Sequence, residues 1–491
     1  MAEVFVAAWR GGYRGVVPDA VIDALTVEAM ARELRAGLGH TDRHTVLAVD
    51  GPDRVLGFAR FGAGYLAALY VHPAAGGRGV GRALLRRALD SMPGTDITLW
   101  VFDGNTRAQD LYLRAGFRPD GARMTDPRWR TPQLRLRRPA RNTARPLPEP
   151  PPVELPRIVG VERTPIRRAL RAPFRTALRE VHELRGHQVR VVGADGRVGV
   201  GTTVATPQIT GETDASIAAA IDGPLSAALR ADGRTLRDAV AAVAAAAPGA
   251  PSARAAVDLA LHELAAATRG SSLAGLLGGT PGPVRSDLTI SVDDPAVMAE
   301  RAVAAVADGF DTVKLKLGDA ALDGARVRAV TRRLAELRTG AGESIRIRLD
   351  ANQAWTVEQA VALLDDLAEL PIELVEQPVA AADLAGMAFV RARSRFPVLA
   401  DESAFTATDV ARIADAEAAD LINLKLLKCG GLGPARDIVA TCAQAGLGLL
   451  IGCMLEPIEG VRAARTLAAV ASAGPLAHDL DAGWWVDPGP G

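Results

Sequence analysis

The sequence of 491 residues predicts a protein of mixed α/β and α+β class, with a mixed sheet and helices at the N-terminus, then an α+β domain and a modified (β/α) barrel. Three observations predict this class. A proline-rich segment divides the chain; a strand, a glycine-rich turn and a helix follow one another before it; and strands that end in charged residues recur regularly after it. The length exceeds that of one ordinary domain of about 100–200 residues, so we expect roughly two to four domains.

Composition and charge restrict the partners and the compartment. The 57 Lys and Arg residues balance 57 Asp and Glu residues, so no net field attracts nucleic acid or an anionic membrane, and we expect neither as a partner. No apolar run reaches the roughly 18 residues that span a membrane, and the first residues lack the basic flank and apolar run of a signal peptide. The sequence therefore predicts a cytoplasmic protein, whose three cysteines lack metal-type spacing and are expected to be reduced core thiols.

The clearest boundary is the proline-rich segment of residues 139–156. Its seven prolines remove too many backbone donors for a helix or a central strand, so we expect a stiff, extended linker. Just before it, Leu134-Arg-Leu136-Arg alternates with the period of a half-buried strand, which favours a final strand over a basic nucleic-acid-binding arm. We therefore place a first domain at residues 1–138 and a second block at residues 157–491.

The first domain contains a candidate phosphate-binding turn. Residues 65–71 form a short β-type run, and residues 76–81 form a glycine-rich turn that leads into an amphipathic helix over residues 82–89. Glycines allow close backbone approach where the free amides and the positive dipole end of a helix point at one spot, which suits a pyrophosphate. The candidate contacts are Val71, Gly77, Arg78, Gly79, Val80, Gly81 and Arg82. A purely structural turn is the alternative at this stage.

A second segment supports a function for this turn. A strand at residues 97–102 runs into the pattern Asn105-x-x-Ala108-x-x-x-Tyr112. The two segments resemble those of the GNAT-type N-acetyltransferases, although Gly76 stands where that family usually has Arg or Gln. The resemblance implies that acetyl-CoA binds the turn, that Asn105 flanks its pantetheine arm and that Tyr112 protonates the departing CoA thiolate, for which a phenol with a pKa of about 10 is a suitable acid. A Tyr112 that only packs on the sheet is the alternative.

In the second block, charged residues end five successive β-type runs. The motifs are Lys314-Leu-Lys316, Asp350-Ala-Asn352, Glu376-Gln-Pro378, Asp401-Glu402 and Lys425. The intervals run from 34 residues, between positions 316 and 350, to 24 residues, between positions 401 and 425, which is the length of one strand, one helix and two loops. Repeated βα units that close into a barrel place every carboxyl-terminal strand end on one face. The five motifs are therefore expected to converge in one active site.

These residues fit a metal-assisted proton transfer. Asp350, Glu376 and Asp401 offer only hard oxygen ligands, without Cys or His, and Mg²⁺ suits such a set. Lys316 and Lys425, on roughly opposite sides of the barrel, are placed as acid and base. A lysine beside another cation has its ammonium form disfavoured, so we expect a lowered pKa there. Independent surface charges would not keep this register along five strands.

The five motifs resemble those of the enolase superfamily, in its muconate-lactonizing-enzyme-like subgroup, over residues 157–491. Further segments resemble the dipeptide epimerases of the L-Ala-D/L-Glu epimerase type. They are Pro173–Arg179 for a mobile capping loop, Ile209–Thr213 for part of the capping domain, Gly452–Glu456 for the end of the seventh strand and Asp479-Leu-Asp481 for the pair that holds the free ammonium of the dipeptide. The resemblance implies an enolase-type capping domain at residues 157–285 and a TIM-type barrel with a C-terminal segment at residues 286–491.

The resemblance also implies a mechanism. One lysine removes the α-proton of a dipeptide whose carboxylate binds Mg²⁺, the metal stabilises the resulting enediolate, and the other lysine returns a proton to the opposite face. The implied substrate contacts are Arg179, Thr289, Lys314, Asp479 and Asp481, with Arg179 facing an acidic side chain. A homo-oligomer through the barrel domain is expected. Members of the subgroup usually run some tens of residues beyond the Asp pair, so we expect the cap to be completed differently here or to have an open edge.

Two alternatives stay open. One is an N-acyl amino acid racemase that consumes N-acetyl amino acids made by the first domain, although the uncharged nitrogen of such a substrate gives Asp479 and Asp481 no cation to bind. The other is a dipeptide epimerase joined to a CoA-binding module that does not catalyse acetyl transfer.

Overall fold

The computed structural model describes residues 1–38, 42–52, 54–92, 94–150, 152–230, 234–337 and 345–486. Pro151 of the predicted linker and residues 487–491 of the predicted barrel domain lie outside the described residues. The chain folds into two compact units, Met1–Arg141 and a larger unit that begins at Asn142. A mixed sheet with helices in the first unit, and an α+β domain with a barrel in the second, confirm the predicted fold class.

The first unit is built on a six-stranded sheet with the strand order β1-β2-β3-β4-β6-β5. Its strands are β1 (His44–Val49), β2 (Val55–Gly62), β3 (Tyr65–Val71), β4 (Ile97–Phe102), β5 (Arg118–Thr125) and β6 (Pro132–Arg138). Its helices are α1 (Ala2–Gly12), α2 (Asp19–Asp23), α3 (Val27–Leu38), α4 (Val80–Asp90) and α5 (Thr106–Arg114). The Ala63-Gly64 turn between β2 and β3 has positive φ at both residues, as a two-residue hairpin loop requires. The core lies around Phe61, Leu99 and Phe117, which are almost fully buried.

Strands β3 and β4 are the parallel pair of this sheet, and they share one residue pair, Tyr65 with Thr98, near their amino-terminal ends. They are therefore joined at one end only, and the carboxyl ends at Val71 and Phe102 are not paired with each other among the described residues. The glycine turn and α4 follow β3 at this end. The candidate phosphate turn thus lies at the open end of the gap between the two strands.

The second unit contains a three-stranded sheet and a nine-stranded sheet. Its strands are β7 (Thr143–Ala144), β8 (Ile158–Arg175), β9 (Glu180–Gly193), β10 (Val198–Val204), β11 (Leu288–Ile290), β12 (Thr312–Lys316), β13 (Arg346–Asp350), β14 (Ile372–Glu376), β15 (Val398–Ala400), β16 (Leu421–Lys425), β17 (Gly448–Gly452) and β18 (Ser472–Ala473). Its helices are α6 (Pro207–Thr210), α7 (Asp214–Ala220), α8 (Ser226–Ala228), α9 (Leu236–Ala246), α10 (Pro251–Thr268), α11 (Leu273–Leu276), α12 (Pro295–Ala307), α13 (Ala320–Ala335), α14 (Val357–Asp366), α15 (Leu384–Arg393), α16 (Ala407–Asp415), α17 (Leu426–Cys429), α18 (Leu432–Ala445), α19 (Ile458–Ala471) and α20 (Ala482–Trp485).

The cap consists of the antiparallel sheet β10-β9-β8 and the helices up to α11. Helix α10 is rich in alanine and is buried over most of its length, so it forms the centre of the cap. It lies directly against β10, because an added Cβ at Gly199 or Gly201 would fall within 2.0 Å of the backbone oxygen of Ala260 or Ala256. Glycine at these two positions therefore permits the close approach of the helix to the sheet.

The barrel wall is formed by β11 to β17, which are parallel and adjacent in sequence order. Helices α12 to α16 and α18 lie between successive strands in the chain. An interior layer of leucines fills the barrel, and its members are Leu374, Leu399, Leu421 and Leu450. Single bridges from His478 to Ser286 and from Asp479 to Gly452 connect β17 back toward β11. In place of an eighth strand, the barrel is therefore closed by these two single bridges.

The segment predicted as a linker lies on this barrel. Strand β7 pairs antiparallel with β17 at Gly448 and with β18. The buried side chain of Asn142 donates a hydrogen bond to the carbonyl oxygen of Leu476 (3.0 Å) and accepts one from its amide (2.9 Å). The Asn142 carbonyl also accepts from the amide of Leu449 (2.9 Å). Residue 142 is thus fixed between two parts of the barrel.

The same segment then crosses to the cap. Val153 and Leu155 are buried, and their backbones exchange hydrogen bonds with Leu236 and Arg234. Within the segment predicted as a stiff, extended linker, hydrogen bonds and buried apolar side chains hold residues of the range 142–155 on the second unit. We call residues 142–150 and 152–155 the strap.

Among the described residues, no helix is both long and apolar enough to cross a membrane.

Candidate active site

The carboxyl ends of the barrel strands bring the predicted motif residues to one rim. Lys316 of β12 pairs in register with Asp350 of β13, which pairs with Glu376 of β14. On the far side, Lys425 of β16 pairs with Gly452 of β17. Strands β13, β14 and β15 separate the two lysine-bearing strands. A pocket at this rim is lined by Thr289, Lys314, Lys316, Asn352, Asp401, Glu402, Lys425, Asp479 and Asp481, among others.

Lys314 connects three carboxylates on one side of the pocket. Its Nζ lies 2.6 Å from a carboxylate oxygen of Asp479, 3.5 Å from Glu376 and 3.7 Å from Asp350. Lys316, two residues along the same strand and on the same face, donates to the carboxylate of Asp350. Both lysines are buried, so these charged groups interact with little screening by water.

Asp401 binds an ammonium group on each of its carboxylate oxygens. The Nζ of Lys425 donates to Oδ2 (2.8 Å), and the Nζ of Lys428 lies 2.6 Å from Oδ1. The backbone amide of Asp401 donates to Oε1 of Gln377 (3.0 Å). The carboxylate and the backbone of Asp401 are therefore both held in place at the end of β15.

The lysines are more basic than the sequence suggested. Burial by itself lowers the pKa of Lys425, but the carboxylates of Asp401 and Asp479 outweigh it and hold that pKa well above its ordinary value. The pKa of Lys314 is raised in the same way, mainly by Asp479 and Glu376. The expected lowering is therefore wrong for Lys425, because this lysine faces carboxylates at closer range than it faces another cation.

The carboxylates divide into two groups. Burial raises the pKa of Glu376 to about 8, and the charge of Asp350 adds to that rise. Burial and the charge of Asp401 raise the pKa of Glu402 to about 7. By contrast, burial alone would raise the pKa of Asp401, but Lys425 and Lys428 hold it well below its usual range. Several buried acids thus share one site that has too little positive charge to ionise all of them easily.

The two members of the Asp pair have different environments. Asp479 contacts Lys314 and, at 3.6 Å, Lys425, and these cations outweigh burial and lower its pKa. Asp481 accepts hydrogen bonds from the Thr289 amide (2.7 Å) and from Nε1 of Trp485 (3.3 Å). Within the described ranges no ammonium or guanidinium forms an ion pair with Asp481, and burial raises its pKa. Asp481 is therefore a buried pocket carboxylate without a cationic partner among the described residues.

The cap supplies the outer wall of the pocket. The predicted capping loop is the tip of the β8–β9 hairpin, and the Arg175 amide of this tip donates to Oγ of Ser291 at the barrel rim (3.1 Å). Phe174, Thr176, Leu178 and Arg179 line the pocket from above. Burial lowers the pKa of Arg179 to about 10, and no carboxylate of the described residues forms an ion pair with it. A half-buried guanidinium in a binding pocket is suited to an anionic group of a ligand.

Asn423 and Lys428 complete the site but were not predicted from the sequence, whereas Asn352 belongs to one of the predicted motifs. Nδ2 of Asn423 donates to Glu376 (2.8 Å) and to Asp479 (3.2 Å), and Nδ2 of Asn352 donates to Glu402 (3.1 Å). Alternation along β16 could have identified Asn423, which points to the same side as Lys425. No comparable signal marked Lys428, because it follows the strand in the short helix α17.

In this structure each of the three candidate metal ligands is paired with an ammonium group. Among the residues that the structure describes, no group of three or more His, Cys, Asp or Glu side chains is arranged to hold a metal ion. The contacts explain this arrangement, since Asp350 and Asp401 face the ammonium groups of Lys316 and Lys425. Buried oxygens of Asn352 and Glu402 nevertheless have no hydrogen-bond partner among the described residues.

The glycine turn of the first unit has the predicted form. Gly77 and Gly79 adopt positive φ angles of 76° and 79°, and Gly79 begins α4 without a side-chain cap. The first amides of α4 are therefore left for other acceptors. Arg78 and Arg82 are exposed, and an added Cβ at Gly81 would only reach ordinary contact with Val71, at 3.6 Å. Val80 is the first residue of the helix, so the predicted contacts surround one helix start.

Asn105 and Tyr112 lie at the start and on the buried side of α5. The Asn105 side chain caps the helix by accepting from the Ala108 amide (3.1 Å). Tyr112 is buried, and its ring lies 5.7 Å from that of Phe117. Burial and the neighbouring Tyr70 raise the pKa of Tyr112, so this phenol keeps its proton at neutral pH. It has the protonation state that a general acid needs.

Three protein families match parts of this chain. Residues 18–117 match the acetyltransferase (GNAT) family. Residues 158–278 match the N-terminal domain of the mandelate racemase / muconate lactonizing enzyme family, and residues 297–487 match the enolase C-terminal domain-like family.

Individual relatives match the second unit. An L-Ala-D/L-Glu epimerase of Clostridium acetobutylicum is 38% identical over 61% of this chain and 83% of that protein. A hydrophobic dipeptide epimerase of Enterococcus faecalis is 37% identical over 65% of this chain and 89% of that protein. The structure of a substrate-liganded complex of the L-Ala-D/L-Glu epimerase from Bacillus subtilis has a TM-score of 0.63 and 35% identity, over 67% of this chain and 91% of that chain.

Proposed function

The chain belongs to the dipeptide epimerases of the enolase superfamily, and on that basis we propose that its second unit inverts a dipeptide at the α-carbon beside the terminal carboxylate. The observation that carries this proposal is the placement of Lys316 and Lys425 at strand ends on opposite sides of one pocket. Inversion needs a base on one face of the carbon and an acid on the other. A β-elimination or a cycloisomerisation would need only one of them.

We propose Mg²⁺ as the cofactor, held by Asp350, Glu376 and Asp401. Their oxygen-only chemistry fits this cation, and the raised pKa of Glu376 indicates a cluster of buried acids that added positive charge would stabilise. A related dipeptide epimerase of Enterococcus faecalis, 35% identical over 68% of this chain and 93% of that chain with a TM-score of 0.63, is described in complex with Mg and the dipeptide L-Leu-L-Tyr. Mg²⁺ bound here would neutralise the substrate carboxylate and stabilise the charge that develops when the α-proton leaves.

The chain's own residues then move the proton. One of the two lysines, in its neutral form, takes the α-proton on its Nζ, and the ammonium group of the other gives a proton to the opposite face of the same carbon. Lys314 stays charged among its three carboxylates and is suited to bind the substrate carboxylate rather than to transfer protons. Residues of the hairpin tip line the pocket and would limit the access of water to it.

The substrate class follows from the charges that line the pocket. Asp481 offers a buried carboxylate to the free ammonium of a dipeptide, with Thr289 fixing its orientation. An N-acylated substrate would leave this carboxylate buried without a cation, and this argues against the racemase alternative. Arg179 would bind an acidic side chain at the other end of the dipeptide. We therefore propose dipeptides with a free amino end and an acidic second residue.

For the first unit we propose binding of acetyl-CoA and transfer of its acetyl group to an amine. The family match to residues 18–117, the helix start at Gly79 and the protonated Tyr112 support this function. Gly77, Arg78, Val80, Gly81 and Arg82 would surround the pyrophosphate, with Val71 and Asn105 beside the pantetheine arm. A module that only binds CoA is the alternative, and the absence of any amine acetylation by a chain that binds CoA would favour it.

The test of the epimerase proposal is exchange of the α-proton in D₂O, followed by NMR over a panel of dipeptides and N-acetyl amino acids. We expect Mg²⁺-dependent exchange and inversion of dipeptides, with the fastest rates for those with an acidic second residue. Full activity in excess chelator would exclude the proposed chemistry. Preference for N-acetyl amino acids over every dipeptide would establish the racemase alternative instead.

A further inference from the structure

Lysine is confined to one place in this protein. The sequence contains four lysines, Lys314, Lys316, Lys425 and Lys428, and the other 53 of its 57 Lys and Arg residues are arginines. All four lysines are buried, and all four contact the carboxylates at the rim of the barrel. Every exposed positive side chain of the chain is therefore an arginine or a histidine.

This distribution has a chemical meaning. A guanidinium is always protonated and planar, whereas an ammonium group is compact, can lose its proton and directs three donors to different sides. At an exposed position either residue satisfies the need for charge, so lysine is dispensable there. A buried lysine in this chain thus indicates a position where an arginine could not make the contacts that are needed. Lys314, Lys316 and Lys425 have proposed roles in substrate binding and proton transfer, and Lys428 has none.

The contacts of Lys428 show why it is a lysine. Its three donors face three oxygens: Oδ1 of Asp401 at 2.6 Å, the carbonyl oxygen of Asp401, and the carbonyl oxygen of Asn423 at 3.2 Å. Its Nζ also lies 5.4 Å from the ring centroid of Phe405. A planar guanidinium cannot direct donors to these three acceptors from one atom. Lys428 is not among the residues that line the pocket, so it does not reach a substrate there.

We propose that Lys428 is a positioning residue that orients Lys425 for proton transfer through the carboxylate of Asp401. This inference rests on the proposed function of the same site. Lys428 holds one oxygen of Asp401 and links the end of β15 to β16, so the other oxygen is directed at the Nζ of Lys425, 2.8 Å away. Without Lys428 the carboxylate can rotate, and Lys425 loses its fixed direction relative to the α-carbon.

The position of Lys428 predicts an asymmetric effect. Lys428 is linked by Asp401 to Lys425, whereas Lys316 contacts Asp350 on the other side of the pocket. A disturbance of Lys428 should therefore slow proton transfer by Lys425 more than transfer by Lys316. It should not weaken Mg²⁺ binding, because removal of an ammonium group beside Asp401 reduces the repulsion of a cation.

The experiment measures exchange of the α-proton by the full chain at saturating Mg²⁺ in two backgrounds. In Lys316→Ala only the Lys425 face can exchange, and there we expect Lys428→Met to slow exchange at least 30-fold. In Lys425→Ala only the Lys316 face remains, and there the same substitution should slow exchange no more than 3-fold. Calorimetric titration with Mg²⁺ alone should give an affinity equal to or tighter than that of the parent chain. Lys428→Arg should slow exchange on the Lys425 face as Lys428→Met does, because a guanidinium cannot reach all three oxygens from one atom. If the methionine variant does not fold, the arginine variant provides the same test.

A matched control separates positioning from stability. Arg391 forms a buried ion pair with Asp420, just before the opposite end of β16. Arg391→Met should lower the thermal midpoint and leave the ratio of exchange on the two faces unchanged. Equal slowing of both faces by Lys428→Met, or full activity of Lys428→Arg, would overturn the positioning role. A wild-type chain that exchanges no dipeptide at all would instead contradict the proposed function.

Discussion

In the proposed mechanism, two single side chains decide which face of the substrate reacts. Lys316 and Lys425 are chemically the same residue, yet they differ in surroundings: Lys316 contacts Asp350, and Lys425 contacts Asp401 and Asp479. In the proposed mechanism each therefore serves one face of the α-carbon, and we expect that neither can replace the other. The geometry at residue scale thus leads to a stereochemical prediction and a charge prediction.

We expect Lys316→Ala and Lys425→Ala each to lower the rate of inversion by at least about 10²–10³-fold, since one of two required proton-transfer groups is gone. Each variant should still exchange the α-proton of one diastereomer, because one lysine remains. Chiral chromatography measures inversion and NMR in D₂O measures exchange. The two variants serve as controls for each other, since they should retain opposite diastereomers. Near wild-type inversion by both would refute the two-base assignment.

Asp481→Asn should lower kcat/KM for free dipeptides about tenfold to 150-fold, because a charge-assisted hydrogen bond of about 1.5–3 kcal/mol is lost. N-acetyl dipeptides should lose nothing and gain slightly, since their uncharged nitrogen no longer faces a desolvated carboxylate. The matched control is Asp308→Asn, an exposed carboxylate that accepts from Nε1 of Trp484 as Asp481 does from Trp485. An equal loss of kcat/KM on both substrate classes would show that Asp481 does not bind the ammonium group.

At the scale of secondary-structure elements, two short segments have functions that their length does not suggest. The helix start at Gly79 presents backbone amides, and the closure at His478 completes the barrel wall. The first depends on the backbone conformation of Gly79, and the second on a hydrogen bond accepted by the His478 side chain. Each can therefore be tested by one substitution with a matched control.

Gly79→Val should weaken CoA binding to the full chain at least tenfold, measured by calorimetry. The positive φ of 79° strains any side chain there, at about 1–2 kcal/mol, and the new side chain lies where a pyrophosphate would approach. Gly121→Val has the same backbone strain, at φ 86°, and equally open surroundings, but it lies in β5. It should bind CoA normally. Exchange by the epimerase unit should be unchanged in both variants.

The barrel closure should be sensitive to acid. Burial, with the nearby Arg348, lowers the pKa of His478 to about 3, and its Nδ1 accepts from the amide of Ile451 (3.0 Å). In the unfolded chain the same group has a pKa of about 6.5. The folded value is the lower one, so the unfolded state binds the proton first, and the stabilising contribution falls as pH drops from about 6.5 toward 3.

Between pH 7 and pH 4.5 the wild-type chain should therefore lose about 2 kcal/mol more unfolding free energy than His478→Gln, which does not titrate. Denaturant unfolding at each pH measures this difference. His182→Gln replaces an exposed histidine and should follow the wild-type pH dependence. Parallel pH profiles for wild type and His478→Gln would show that His478 is not the acid-sensitive group.

At the scale of the whole molecule, the chain has two units and no long free segment between them among the described residues. The strap begins at Asn142, the first residue of the second unit, and ends at Leu155 in the core. The cap hairpin is also tied to the last described residues, since Leu170 is bridged to Val486 and Phe174 packs on Trp485. The cap hairpin is thus in contact with the segment around Trp485, as a cap that is completed differently would be.

The strap should be required for the stability of the epimerase unit. A variant that begins at Asn142 should keep its thermal midpoint and its exchange activity. A variant that begins at Arg157 should lose at least about 3 kcal/mol of unfolding free energy, because the buried side chains of Val153 and Leu155 alone contribute about 1.5–3 kcal/mol each. Calorimetric melting of the two variants measures the difference. Equal midpoints would show that the segment acts only as an extended linker and does not stabilise the epimerase unit.

The sequence by itself determined the barrel and the residues at its rim. Strand-end charges at an interval of one βα unit are a local, periodic signal, and parallel strands necessarily place their carboxyl ends on one side. For the same reason Lys316, Asp350, Glu376, Asp401 and Lys425 could be selected before any coordinates, and the glycine turn with its helix could be located in the first unit.

Only the tertiary structure decided the properties that depend on distance between remote residues. The pKa of Lys425 rises because the carboxylates of Asp401 and Asp479 lie 2.8 Å and 3.6 Å from its ammonium group. The spacing of these residues along the chain does not indicate those distances. Asn142 is hydrogen-bonded to Leu476, more than 300 positions away. Because the proline content of the segment does not indicate such a distant contact, the sequence predicted only a linker. Lys428 was missed because it acts through Asp401 from outside the pocket. A periodic pattern reports what one element does, whereas pairing of charge and burial is set by which elements meet.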